Sequence, residues 1–188
     1  MKLHGKVWGA GALFAVCLST GVSAMELKGV RMPDQITVAG QPLVLNGMGL
    51  RSATIFRINV YVAGLYLKSK TSDENAALAA AGPKQVRLQF LRGVDPGKIA
   101  GALDESLGQG KYKDKYKDAI AKLKALIPAV KEGDRMTYTF LSDSTEFAVN
   151  DTVKGTLPGG EFGKAVLSAW IGEKPPTKDL KQGLLGKH

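Results

Sequence analysis

The sequence predicts an α+β domain, an antiparallel sheet with its helices gathered on one face. Three observations carry this. Strand-like segments fill the first half of the chain, helical ones the middle, and two strands and a helix the end. The segment 54–67 alternates side-chain character by twos, the period of a strand. No repeat and no low-complexity linker divides the chain, so one domain accounts for it.

The first residues read as an export signal. Lys2 and Lys6 precede an apolar run from Val7 to Leu18, and Val22-Ser23-Ala24 offers small residues at cleavage positions. The expected cut follows Ala24, giving a signal peptide over 1–24, a domain over 25–188 and a periplasmic location. A membrane anchor is the weaker reading, because the run is shorter than the roughly 18–20 residues a span requires. Lipidation at Cys17 is disfavoured by the bulk of Val16. Cys17 is the one cysteine, so the exported domain has no disulfide and no thiolate ligand. No stable membrane insertion is expected after cleavage.

The elements follow in order. Ile36–Ala39 and Leu43–Leu45 flank the turn signal Gly40-Gln41-Pro42. Gly47-Met48-Gly49-Leu50-Arg51 leads into the strongest strand, Thr54–Leu67. Counted by twos, Phe56, Ile58, Val60 and Val62 share an apolar face expected to carry the helices. Arg57, Asn59 and Tyr61 begin the other face, followed by Ala63, Leu65 and Leu67. Gly64 in mid-strand signals a bulge or a close approach. Ser72-Asp73-Glu74-Asn75 caps a helix over 73–81, ended by Gly82-Pro83. Val86, Leu88 and Phe90 form a half-buried strand. Asp95-Pro96 opens a helix to about Leu107, with Ile99, Ala102, Leu103 and Leu107 as its buried stripe. Helical spacing predicts a longer helix from Tyr112 to about Lys131, kinked near Pro128. Strands Met136–Leu141 and Glu146–Val153 are joined by the turn 142–145. Gly159-Gly160 leads into a helix over Phe162–Ile171, and a short amphipathic segment, Asp179–Leu185, closes the chain.

Composition excludes several functions. The two histidines are His4 and His188, so no imidazole lies inside the fold as base, metal ligand or triad member, and no metal site is expected. No phosphate-binding loop is present; Gly47-Met48-Gly49 is too short for a dinucleotide fingerprint. The net charge of +9 comes from scattered lysines, which reads as a solvated surface rather than a nucleic-acid interface. What remains is Arg51 near the head of the main strand and Tyr61 on the face shared with Arg57 and Asn59. An arginine fork grips a carboxylate and a phenol donates one more hydrogen bond, so a pocket for an amphipathic acid is one reading. Surface arginines and a core tyrosine with a wet tip are the other.

The segment Asn46-Gly47-Met48-Gly49-Leu50-Arg51, followed by Asn59-Val60-Tyr61-Val62-Ala63-Gly64-Leu65-Tyr66-Leu67, resembles the hallmark of the chalcone isomerase-like family. Phe162–Gly172 resembles the helix that closes that family's ligand cleft, and Lys174-Pro175-Pro176 with Leu180, Leu184 and Leu185 resembles its ending. The resemblance covers about residues 28–186 and is nearer to the small exported bacterial branch than to the plant flavonoid enzymes. It implies an open-faced β-sandwich with a ligand cleft between sheet and helices, and it matches the family arginine to Arg51. Tyr61 stands where the plant enzymes have threonine, which is similar to the fatty-acid-binding branch. The stretch 93–105 lacks the tyrosine and asparagine that the plant enzymes carry there.

The resemblance therefore implies binding of a small hydrophobic ligand, a fatty acid or other lipophilic carboxylate, without chalcone isomerase activity. Arg51 and Tyr61 would hold the acid, Asn59 or Arg57 would assist, and Phe162 with its helix would line the cleft. Two alternatives stand beside this. One is an isomerase or intramolecular lyase with Arg51 as electrophile. The other is a haem carrier, which would need Tyr61, Met48 or Met136 as axial ligand. The leading reading needs no cofactor. Oligomeric state is not written in the sequence.

Overall fold

The computed structural model describes residues 23–53, 58–107 and 112–187. Nearly all of the proposed signal peptide, Arg57 and Phe56 lie outside the described residues. Fourteen elements follow one another: β1 (Ala24–Leu27), β2 (Val30–Pro33), β3 (Gln35–Val38), β4 (Gln41–Ala53), β5 (Ile58–Leu67), α1 (Glu74–Ala79), β6 (Lys84–Phe90), α2 (Pro96–Leu107), α3 (Lys117–Ala125), β7 (Arg135–Phe140), β8 (Ser144–Val149), β9 (Thr152–Pro158), α4 (Gly160–Ile171) and α5 (Lys178–Leu184). Strands β3 to β9 form one antiparallel sheet in sequence order, and β1 pairs with β2 alone. An antiparallel sheet with helices on one face is thus what the chain builds.

Three hairpins close through two residues with positive φ: Lys28-Gly29, Ala39-Gly40 and Asn150-Asp151. That conformation matches the twist of the strands it joins. Asn150 is held there by its own side chain. Its Oδ1 accepts from the Arg135 amide at 2.8 Å and its Nδ2 donates to Asp134 at 2.8 Å. The expected single strand Glu146–Val153 is consequently two strands, β8 and β9, folded back at this turn. The hairpin β1–β2 was not anticipated either.

Strand β4 runs straight through the glycine-rich segment. Gly47 and Gly49 are strand residues because α5 lies against them. A Cβ on Gly49 would collide with the Leu180 carbonyl oxygen and stand 3.0 Å from its Cα; one on Gly47 would strike the Gly183 carbonyl. Just ahead of Gly47, Asn46 is the extra residue of a bulge in β4. Its buried amide donates to the Leu184 carbonyl at 2.7 Å and accepts from the Thr71 amide at 2.7 Å. The tail helix is therefore fixed to the sheet by backbone proximity and one side chain. Gly64 marks a close approach, as expected, without a bulge: the Met32 side chain occupies the space of its missing Cβ.

Helices cover one face of the sheet. Their core takes Ala63, Leu65 and Leu67 of β5, Val86, Leu88 and Phe90 of β6, and Tyr138 of β7, packed under α4, whose Val166, Leu167 and Ile171 are fully buried. The opposite face carries a smaller cluster of Val30, Met32, Leu45, Val62 and Tyr66 beneath the β1–β2 hairpin. The expected assignment of β5 is thus reversed. The face of Tyr61, Ala63 and Leu65 carries the helices, and the Val62 face carries the hairpin.

Helix α1 starts where expected, with Asp73 accepting from the Ala76 amide at 2.6 Å. Helix α2 begins at Pro96, whose fixed φ suits the first helical position. Helix α3 is shorter than the predicted 112–131. Pro128 disfavours helical backbone at Ile127, and beyond it Val130 pairs with Val94 in an isolated bridge, N–O distances 3.0 and 3.2 Å. That bridge pins the connection between β6 and α2.

Candidate functional site

A cavity of about 390 Å³ lies between the helix-covered face of β4–β7 and helices α2 and α4. Its depth is apolar and aromatic, with Leu88, Phe90, Leu103, Tyr138 and Trp170 buried around it. Its rim comes from the ends of β4, β5 and β6 and the start of α2: Ala53, the exposed Ile58, Gly93 and three basic residues, Arg51, Arg92 and Lys98. No carboxylate is among the described residues that line it. Pro176, just ahead of the α5 cap Thr177, closes one side.

The sheet register assembles the polar part. Arg51 on β4 pairs with Tyr61 on β5, and Tyr61 pairs with Phe90 on β6. Beyond Arg51 the register slips: Ser52 faces Asn59, leaving Val60 as an extra residue. The bulge reverses the alternation of β5. Val60 and Tyr61, adjacent in sequence, both line the cavity, as does Ile58. Asn59 points the other way and accepts from the Ser52 hydroxyl at 3.2 Å.

Tyr61 is held on two sides. Its ring meets Phe90 edge-on at 5.7 Å, and its hydroxyl oxygen accepts from Trp170 Nε1 at 3.3 Å. Burial pushes the phenol up to about 12, against the lowering influence of the Trp170 donor and the nearby charge of Arg51. Tyr61 is therefore a neutral hydrogen-bond donor at any physiological pH, and too weak an acid to give up its proton readily. Tyr138 packs on Trp170 at 4.9 Å and on Phe147 at 5.0 Å. Burial, and secondarily Tyr61, raises it too. The Arg51 guanidinium is half-buried and donates from Nη1 to the Ser52 carbonyl.

Of the expected site residues, Arg51 and Tyr61 meet at the cavity. Asn59 lies on the opposite face, and Arg57 is outside the described residues. Phe162 is buried against Tyr116, ring centroids 5.5 Å apart, and does not line the cavity. Helix α4 contributes Ala169 and Trp170 instead, and most of the helical wall comes from α2. Met48 packs in the hairpin-side cluster and Met136 in the main core, neither at the cavity. A haem carrier would have Tyr61 as its one remaining candidate ligand among those three. No cluster of three or more acidic, histidine or cysteine groups suited to a metal occurs among the described residues, and none of their helices is long and apolar enough to cross a membrane.

Trp170, Tyr138, Arg92 and Lys98 were not singled out from sequence. Trp170 had a signal in its polar N–H on the buried face of α4. Lys98 lies within the stretch 93–105 and Arg92 just ahead of it; the resemblance draws attention there to a missing tyrosine and asparagine rather than to cations.

A family model described as chalcone isomerase-like matches residues 24–186. The fold is similar to the crystal structure of a fatty-acid binding protein of Arabidopsis thaliana, with a TM-score of 0.71 and 17% sequence identity. The match covers 87% of this chain and 96% of that one. No curated protein matches the sequence.

Proposed function

The chain belongs to the chalcone isomerase-like family, and from that premise we propose that it binds a lipophilic carboxylate, a fatty acid or a similar amphipathic acid, in the cavity between sheet and helices. The observation that carries this is the pairing of Arg51 with Tyr61 at a cavity that is apolar in its depth and basic at its rim, with no carboxylate among the described residues that line it. Arg51 supplies the fixed charge and a fork for two oxygens. Tyr61 supplies a neutral O–H donor. The hydrocarbon body gains about 25 cal/mol per Å² of apolar surface buried among Leu88, Phe90, Leu103 and Trp170. Similarity of fold to a protein that binds fatty acids supports the same reading.

The site binds without ring-closing chemistry in this proposal. The stretch 93–105 offers the cavity Gly93, Val94, Lys98, Ile99, Ala102 and Leu103, with neither a tyrosine nor an asparagine among them. Export and removal of residues 1–24 complete the proposal, and N-terminal sequencing of the protein recovered from a periplasmic extract tests that step.

The binding test is titration with 11-(dansylamino)undecanoic acid. Arg51→Ala is expected to weaken binding about tenfold or more, the size of a lost charge-assisted contact, with an unchanged circular dichroism spectrum. Equal affinity in the variant refutes the assignment of the head group to Arg51. A chalcone incubated with wild type is expected to lose absorbance no faster than in buffer.

A further inference from the structure

The cavity rim carries more positive charge than one carboxylate uses. Arg92 follows β6 by two residues, and Lys98 stands on the first turn of α2. Both are exposed, both line the cavity, and neither makes an ion pair among the described residues. Asp95 lies between them in sequence but does not line the cavity and pairs with neither. The bridge between Val94 and Val130 fixes the backbone from which both project. Arg51 comes from the far side of the same rim, two strands away across the Arg51–Tyr61–Phe90 row.

We propose that Arg92 and Lys98 form a second anion-binding position at the cavity mouth, and that the ligand carries a doubly charged head, a phosphate monoester on a single hydrophobic chain. This rests on the reading of the cavity as a lipophilic-acid site and names the head group. Three cations with no acid among them repel one another until an anion arrives. A monocarboxylate engages Arg51 and leaves Arg92 and Lys98 without an anion. A phosphate monoester brings about two negative charges near pH 8 and three acceptor oxygens. Arginine forks suit two of those oxygens and lysine acts on the group as a point charge. The apolar depth takes the chain, as it would for a fatty acid.

The test displaces 11-(dansylamino)undecanoic acid with dodecanoate or with dodecyl phosphate, both below their micelle concentrations, at pH 8 and fixed ionic strength. Wild type is expected to bind dodecyl phosphate about tenfold or more tightly than dodecanoate. The double variant R92Q/K98Q is expected to lose that preference while keeping its dodecanoate affinity within about twofold. Equal affinity for the two heads in wild type overturns the proposal, as does a preference that survives in the double variant. If dodecanoate binds through Arg51 and no phosphate preference exists, this inference fails and the fatty-acid reading stands. If neither amphiphile nor the probe binds, both fail together.

Discussion

Trp170 donates its indole N–H to the hydroxyl oxygen of Tyr61 across 3.3 Å, joining the closing helix to the sheet at the centre of the cavity. Because that oxygen already accepts, the tyrosine's own proton is left for an acceptor inside the cavity. Trp170 thereby sets the direction in which Tyr61 donates. Trp170→Phe keeps an aromatic ring but removes the donor. We expect dodecanoate affinity to fall about three- to tenfold, the worth of one net hydrogen bond of about 0.5–1.5 kcal/mol. Calorimetric titration measures it. Unchanged affinity would show that Tyr61 needs no such guide.

Helix α2 presents one alanine to the cavity between larger side chains, Ile99 and Leu103. Ala102 lines the cavity from that helix. Ala102→Phe puts a ring into the space a ligand chain would occupy. Binding of the dansyl fatty acid should drop at least about tenfold, while the melting temperature holds or rises, because the added ring fills a void instead of crowding a packed core. A variant that binds as well as wild type would place the ligand elsewhere.

Docking of α5 on β4 depends on a missing Cβ. Gly49→Ala sets a methyl group against backbone atoms of Leu180, which have no rotamer by which to give way. Overpacking of this kind costs about 1–3 kcal/mol, and each kilocalorie lowers the melting temperature of a domain this size by roughly 2–4 °C. Hydrogen exchange should accelerate over 178–185 before other regions. Uniform exchange with an unchanged melting temperature would contradict the contact.

Alkaline pH should unfold the protein by a specific route. Burial raises Tyr61 and Tyr66 to about 12, against about 10 for an unfolded tyrosine. Between those values the folded chain holds protons that the unfolded chain has released. Stability is therefore complete below pH 10 and declines as pH climbs toward 12. Thermal melts from pH 8 to 12 should show this decline, and Tyr61→Phe should make it shallower. A decline of equal slope in that variant would assign the effect to other groups.

Much of this arrangement was legible in the chain. Capping at Asp73, the proline start of α2 and the alternation of β6 are local signals, and each produced its element in place. Arg51 and Tyr61, which line the cavity, stand out in the sequence because charge and phenol on a strand are conspicuous. What local pattern could not reveal was relative placement. Asn150-Asp151 reads as two polar residues within a strand until the chain folds back on both sides of it. The glycines of β4 carry no local sign that they lie in a strand beneath a helix, because that helix is more than 130 residues away in sequence. Asn59 was assigned to the Tyr61 face by counting twos, and the count fails where β5 gains Val60. Phe162 was expected from the resemblance of its helix to one that closes a ligand cleft, and that likeness marks the helix without saying which of its side chains meets the void.

That surplus residue also decides where β5 tolerates a change in length. Deleting Val60 would let Asn59 follow Tyr61 in an even ladder, with Ile58 still turned inward. Deleting any residue between 61 and 67 would rotate Leu65 and Leu67, or their neighbours, out of the interior. Insertions and losses in this strand should therefore collect at the mouth, so that the doorway can be recut while the foundation stays in phase.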